Sequence, residues 1–294
     1  MKDPRPQDTA TDVLVRIRQE LPLLSRAEAR VARTIVDNPG AAVNETITAL
    51  ATRSGASQAS VVRFCRHLGY DGYAEFRIGL AQATSRQEAE LERSGLTAGD
   101  IDPTDGVAEV VARLAYQEAR SIEDTARTVS LTELERAVAA VDHADHVLAV
   151  GYGASAVTAQ DLAQKLVRIG LPCVAPADFH LQLVSASLAS SRTVAVVVSY
   201  GGATAEAIEV ATLAKGKGAT VIVITNVPNS PLAGLADIVL ATAASESRFR
   251  AGALASRIAQ LAVVDFLFVR LVQARFDDAQ AALATTREAL QAHR

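Results

Sequence analysis

Two hydrophobic patterns divide the chain. Before His146 the apolar positions recur every three or four residues, as on one face of a helix; after it they come in short unbroken runs separated by helical stretches. In the first part, Val13, Leu14, Ile17 and Leu21 predict a helix begun near Thr11. Ser25, with Glu28 three residues on, is a capping-box start. The helix it opens runs through Val31, Ile35 and Val36 and is expected to stop at Asn38-Pro39-Gly40. Two short helices follow, and another begins near Tyr73 and reaches toward Leu91. Residues 94–106 combine turn formers with acids and lack periodicity, which makes them the best linker in the chain. Helices are expected over Val107–Thr128 and Leu131–Val141.

The runs Val147–Val150, Thr193–Val198 and Thr220–Ile224 are rich in β-branched residues and apolar throughout. Cys173-Val174 and Ile238–Leu240 are shorter candidate strands. Helical stretches lie between them, at Ala154–Ile169, Phe179–Leu188 and Ala203–Lys217. Such alternation predicts a parallel, doubly wound sheet covered on both faces. A last long helix, about Gly252–Phe276, is apolar on more than one face, as burial against the sheet, a partner subunit or both would require. The fold class is therefore α/β, with an all-helical N-terminal domain joined to a parallel-sheet domain. The expected boundaries are 1–86 for the helical domain, 87–130 for a linker with connecting helices, 131–277 for the sheet domain and 278–294 for a helical tail.

Composition adds bounds. With 294 residues, 49% hydrophobic and 21% charged, the chain reads as a globular protein of two domains. No apolar run is long enough to span a membrane, and no signal-type stretch follows Met1-Lys2-Asp3-Pro4. Cys65 and Cys173 have no metal-ligand spacing and read as reduced thiols of a cytoplasmic protein, serving as small buried hydrophobes. No metal, cofactor or membrane partner is expected. The net charge of −4 argues against nucleic acid, but it is unevenly spread. Residues 1–86 carry 12 Lys and Arg against 9 Asp and Glu; the remainder carries 17 against 24. A mildly basic head on an acidic body fits a DNA-binding head.

The segment from Glu45 to Gly69 has the parts of a helix-turn-helix. Ala51 is small enough for two helices to cross closely, Gly55 tolerates a left-handed turn, and Ser57 caps the next helix. Val61, Phe64, Cys65 and Leu68 form its inward face. The opposite face carries Ala59, Val62, Arg63 and Arg66, with Gln58 and Ser60 at its edges. Gln pairs with adenine, Arg with guanine, and a small apolar group meets a thymine methyl. Arg53, Arg66 and His67 are alternative phosphate contacts. A helical hairpin with a solvated basic face is the competing reading. Ser57 through Tyr73, with Ser-Val-Val-Arg-Phe-Cys-Arg-His-Leu-Gly-Tyr at its centre, resembles the signature of the RpiR family of bacterial regulators.

Two strand-end loops have the chemistry of an anion site. Gly151-Tyr152-Gly153-Ala154-Ser155 opens one helix, and Ser199-Tyr200-Gly201-Gly202-Ala203-Thr204 opens another. Glycines let the backbone approach an anion and helix N-terminal amides point at it. Two tight strand-to-helix turns are the plain alternative. No Lys follows in Walker-A spacing, and no acid ends Cys173-Val174 to hold a ribose, although Asp178 lies close.

Residues from about Leu134 to Val272 resemble the sugar isomerase (SIS) domain that follows the helix-turn-helix in RpiR regulators, a flavodoxin-like fold. The resemblance implies a phosphosugar held by Gly151, Gly153 and Ser155 and by Ser199, Tyr200, Gly201, Gly202, Thr204 and Glu206. Gly201 departs from the family, which has a second Ser there. Glu246, in a segment with Arg248 and Arg250, corresponds to a family Glu that acts as base in the isomerases and would accept sugar hydroxyls in a regulator. Asp178 and His180 match a family Asp-x-His pattern near the site or the subunit interface. The implied function is a regulator of carbohydrate metabolism without catalytic residues. It would bind double-stranded operator DNA and a phosphosugar effector as a homodimer or dimer of dimers. A sugar-phosphate isomerase with a DNA head and a nucleotide-sensing regulator are the alternatives.

Overall fold

The computed structural model describes residues 12–93, 101–246 and 253–291. The helix start at Thr11, residues 94–100 of the expected linker, and Arg248 and Arg250 lie outside them. The chain divides into two units: residues up to Arg127 with Ser245 and Glu246, and Thr128–Ala244 with residues 253–291.

The first unit is helical. Its helices are α1 (Val13–Glu20), α2 (Arg26–Asp37), α3 (Pro39–Asn44), α4 (Ile47–Arg53), α5 (Gln58–His67), α6 (Tyr73–Arg93) and α7 (Val107–Thr128). The capping box at Ser25 and Glu28 forms as the sequence requires. Asn38-Pro39-Gly40 ends α2 but does not end helical structure. Asn38 caps a second helix, its Oδ1 accepting from the Ala41 amide at 3.0 Å, and Pro39 sits at the first helical position, where its missing N–H has no partner to lose.

Val13, Leu14, Ile17, Val31, Ile35, Leu50, Val61, Phe64, Leu68, Phe76 and Leu80 form one core. The Phe64 and Phe76 rings meet edge to face with centroids 5.5 Å apart. The Arg16 guanidinium donates to the Leu68 carbonyl and lies over the Tyr70 ring, which ties α1 to the end of α5. Cys65 lies inside this core, and burial pushes its thiol up to about 12, so it stays protonated and unreactive.

The second unit opens with α8 (Leu131–Asp142) and is built on five parallel strands: β1 (His146–Gly151), β2 (Cys173–Val174), β3 (Thr193–Val198), β4 (Thr220–Thr225) and β5 (Ile238–Ala241). Their order is β2-β1-β3-β4-β5, the flavodoxin-like order. The helices between and after them are α9 (Ala154–Arg168), α10 (Phe179–Ser187), α11 (Ala205–Gly216), α12 (Ala255–Ala274) and α13 (Phe276–Gln291).

Alternate strand residues serve the two faces. Val147, Ala149, Val194, Val196 and Val198 pack under α8, α9 and α12 through Leu134, Leu162, Leu166, Val263 and Leu267. Leu148, Val150, Ala195, Val197 and Val221 pack under α10 and α11 through Ala186, Ala207, Val210 and Ala214. This is why the strands read as unbroken apolar runs. Cys173 is buried in the first layer, and its thiol is likewise pushed up to about 12.

Phe64, with Phe76, is among the largest side chains fully buried in the head, and it lies on α5. Phe64→Ala in the full chain is expected to lower stability by about 3–5 kcal/mol. Urea unfolding measures it, and a loss under about 1 kcal/mol would show that the ring is not a packed centre.

Candidate functional site

In the helical unit, α4 and α5 meet at Gly55, whose φ of 59° places the turn in the left-handed region. Arg30 braces the turn, donating from Nη2 to the Gly55 carbonyl at 2.7 Å and from Nε to the Ser54 carbonyl at 3.3 Å. Nothing local in the sequence marks Arg30, because its partners lie more than twenty residues away. Ser57 caps α5, its Oγ accepting from the Ser60 amide at 3.2 Å.

Gln58, Ala59, Arg63, Arg66 and His67 are exposed along α5, and Val62 is half-buried. Ser60 departs from expectation. It is only 4% exposed, and its Oγ accepts from Arg63 Nη2 at 2.9 Å and lies 3.0 Å from Ser57 Oγ. The first turn folds inward there, so Ser60 orients Arg63 and does not present itself to a groove. Arg53 is engaged within the head, paired with Glu45 at 2.8 Å and donating to the Thr34 carbonyl at 3.2 Å. Gln58 Nε2 donates to Thr48 Oγ1 at 3.0 Å, and His67 Nε2 lies 3.2 Å from Glu20.

In the sheet unit, β1 and β3 are hydrogen-bonded neighbours with Gly151 opposite Val198, so their loops leave the sheet side by side. α9 then turns to one face and α11 to the other. That divergence is the topological switch point at which open α/β sheets bind ligands. Side chains cap α1, α2, α3, α4, α5, α8 and α10. Neither Gly153 before α9 nor Thr204 before α11 supplies a side-chain cap. At α9 the Ser155 and Ala156 amides donate instead to the Tyr152 and Gly153 carbonyls, each at 3.1 Å, and Leu254 before α12 supplies no side-chain cap either.

Several loop residues serve to hold the loops in shape. Gly151 allows the α9 backbone to come close: a Cβ there would sit 2.3 Å from the Ser155 carbonyl oxygen. Gly202 has φ 61°, and a Cβ on it would lie 2.0 Å from Oγ of buried Ser230. Ser199 Oγ accepts from the Gly202 amide at 3.2 Å and lies 3.3 Å from Thr204 Oγ1. The Tyr200 carbonyl accepts from the Asn226 amide at 3.0 Å and from Thr225 Oγ1 at 3.2 Å. The loop after β4 therefore braces the loop after β3. Thr225, Asn226 and Ser230 were not singled out from sequence, since their role appears only once β3 and β4 are paired.

Tyr152 is a support as well. Its hydroxyl donates to Gln182 Oε1, and its ring meets Phe179 edge to face. Burial, with the charges of Glu206 and Glu209, pushes its phenol up to about 12. Asp178 caps α10, and His180 is exposed with its ring beside Phe179. Glu246 is half-exposed and groups with the first unit. Gly201 is half-exposed, has no left-handed φ, and a Cβ on it would meet nothing within 4 Å.

Residues 11–87 match the helix-turn-helix domain of the rpiR family, and residues 141–270 match the SIS domain. An HTH-type transcriptional regulator of Caldanaerobacter subterraneus is 38% identical over 95% of this chain and 97% of its own length. The chain belongs to the RpiR family of transcriptional regulators. NanR of Vibrio vulnificus, solved in complex with ManNAc-6P, is similar over 96% of this chain and 99% of its own, at 32% identity and a TM-score of 0.60. The sugar isomerase domain of an RpiR transcription factor from Sphaerobacter thermophilus shares the fold at 21% identity and a TM-score of 0.56, over 61% of this chain and 99% of that one.

For this RpiR-family chain the glycines separate cleanly. Gly151→Ala forces backbone against backbone and is expected to destabilise by about 1–3 kcal/mol. Gly201→Ser enters open space and should change stability by less than about 0.5 kcal/mol. Thermal unfolding of both variants checks the pair; equal losses would contradict the loop geometry.

Proposed function

We propose that this RpiR-family regulator binds operator DNA through α5 and a phosphosugar effector between the starts of α9 and α11, and that occupancy of the second site changes affinity at the first. The observation that carries the sensing half is the pair of uncapped helix N-termini flanking the switch point. Gly153 and Gly201 expose backbone, and Ser155, Ser199 and Thr204 add hydroxyls, while buried Gly202 shapes the loop with its amide on Ser199 Oγ and its carbonyl on the Leu232 amide. Neither loop contains Lys or Arg, so helix amides and hydroxyls meet the phosphate charge. NanR, which carries ManNAc-6P, supports the ligand class.

On the DNA side, Gln58, Ala59, Val62 and Arg63 are read as the base-facing group, and Ser57, Arg66 and His67 as phosphate contacts. Such heads bind paired half-sites, so the protein is read as a cytoplasmic homodimer or dimer of dimers. Leu181 and Val184 on α10 and Leu188 just after it stand exposed at one-turn spacing and fit a self-association surface. The effect of ligand on DNA affinity requires different ligand affinities for the two states of the protein. The reading is of a sensor that holds its phosphosugar without turning it over.

Arg63→Ala is expected to cost about 1–3 kcal/mol in affinity for a duplex selected from a random pool, and to relax preference at one position. An unchanged isotherm removes Arg63 from the readout. Thr204→Val, which keeps shape and removes a hydroxyl, should weaken phosphosugar binding by about 1.5–3 kcal/mol by calorimetry. Turnover of a phosphosugar panel by the intact protein would overturn the sensor reading in favour of an isomerase.

A further inference from the structure

We propose that Gln260, on α12 and outside both loops, is a positioning residue for the anion site: it directs the proton of the Ser155 hydroxyl toward the bound phosphate. The proposal rests on the phosphosugar reading of the crevice. Gln260 is 1% exposed, at the contact of α12 with α9, beside buried Ala259 and Val263. A primary amide in such a place is costly unless both of its ends are bonded. Both ends are. Thr158 Oγ1 donates to Gln260 Oε1 at 3.3 Å, and Gln260 Nε2 donates to Ser155 Oγ at 3.3 Å.

The order of these bonds matters. An amide oxygen only accepts and an amide nitrogen only donates. With the oxygen committed to Thr158, the nitrogen faces Ser155 and occupies a lone pair on its oxygen. The single proton of Ser155 is left for another acceptor. A serine in a helix otherwise turns that proton back on a carbonyl one turn earlier. Ser155 lies in the first turn of α9, where the helix start has no side-chain cap. A phosphate oxygen held there would receive the hydroxyl proton. Gln260 thus converts a serine that would satisfy itself into a preorganised donor, from a helix whose Ala255 and Ala259 also pack with Tyr200 of the second loop.

The test is a double-mutant cycle on the full chain, with dissociation constants from calorimetry for ManNAc-6P and, as a second probe, inorganic phosphate. Gln260→Met is the nearest apolar isostere, and Gln260→Leu is made beside it in case one of them folds poorly. Each is expected to weaken binding about fivefold, the loss of one hydrogen bond's worth. Ser155→Ala should weaken it at least as much. The decisive result is non-additivity: in the Ser155→Ala background the Gln260 substitutions should change affinity by less than about twofold. Equal losses with and without Ser155 would mean a packing role and overturn the proposal. Loss with Ser155→Ala but none with either Gln260 variant would leave the phosphate site standing and remove Gln260 from it. Failure of the intact protein to bind either probe would overturn the phosphosugar reading itself, and this inference with it.

Discussion

Between β1 and β3 the chain reverses the direction in which it builds its sheet, and the crevice of the sheet unit follows from that reversal. β1 leads through α9 to β2 on one side, while β3 leads through α11 to β4 on the other. Two adjacent parallel strands therefore send their helices to opposite faces, and a crevice opens where the helices part. The amides at each helix start need acceptors. At most helix starts a neighbouring Ser, Thr, Asn or Asp side chain provides one, but at α9, α11 and α12 none does. On the phosphosugar reading a phosphate would be met there by amides and hydroxyls, since neither loop holds Lys or Arg.

Around that opening the structure invests its buried polar groups. Gln182 from α10 holds Tyr152, Gln260 from α12 holds Ser155, and Thr225, Asn226 and Ser230 hold the second loop. Each belongs to a different element from the loop it steadies. The remaining interior of this unit is Val, Leu, Ile and Ala in two layers that set the strand positions. Apolar packing places the loops, and a few buried hydrogen bonds set their orientation. The helical head is built similarly: one apolar core fixes α5, while Arg30, Arg16 and Ser60 decide how its ends and its arginine are held.

The elements themselves were largely legible in the sequence, because hydrophobic periodicity is a local signal. The capping box at Ser25 and the unbroken runs of the central strands each sit within a few residues. The short helix α3 was missed because Asn38-Pro39-Gly40 reads as a stop. In fact Asn and Pro also begin helices, and only the packing of the segment that follows selects between the two. Ser60 was misplaced for a related reason. Spacing of 100° per residue puts it at the edge of the outer face, but its hydroxyl folds back between Ser57 and Arg63, and helical periodicity carries no information about that choice.

What the sequence by itself determined is the set of parts: a helix-turn-helix, five apolar strands, and two Gly- and Ser-bearing loops placed to follow strands. What only the tertiary structure decided is which of those parts meet. The neighbouring of β1 and β3, the bracing of Gly202 by Ser230, and the reach of Gln260 to Ser155 join residues far apart along the chain. Such contacts exist only when the sheet order and both helical layers are in place. A local pattern records the propensity of a segment, whereas a polar contact between distant segments depends on positions set by the whole packed core.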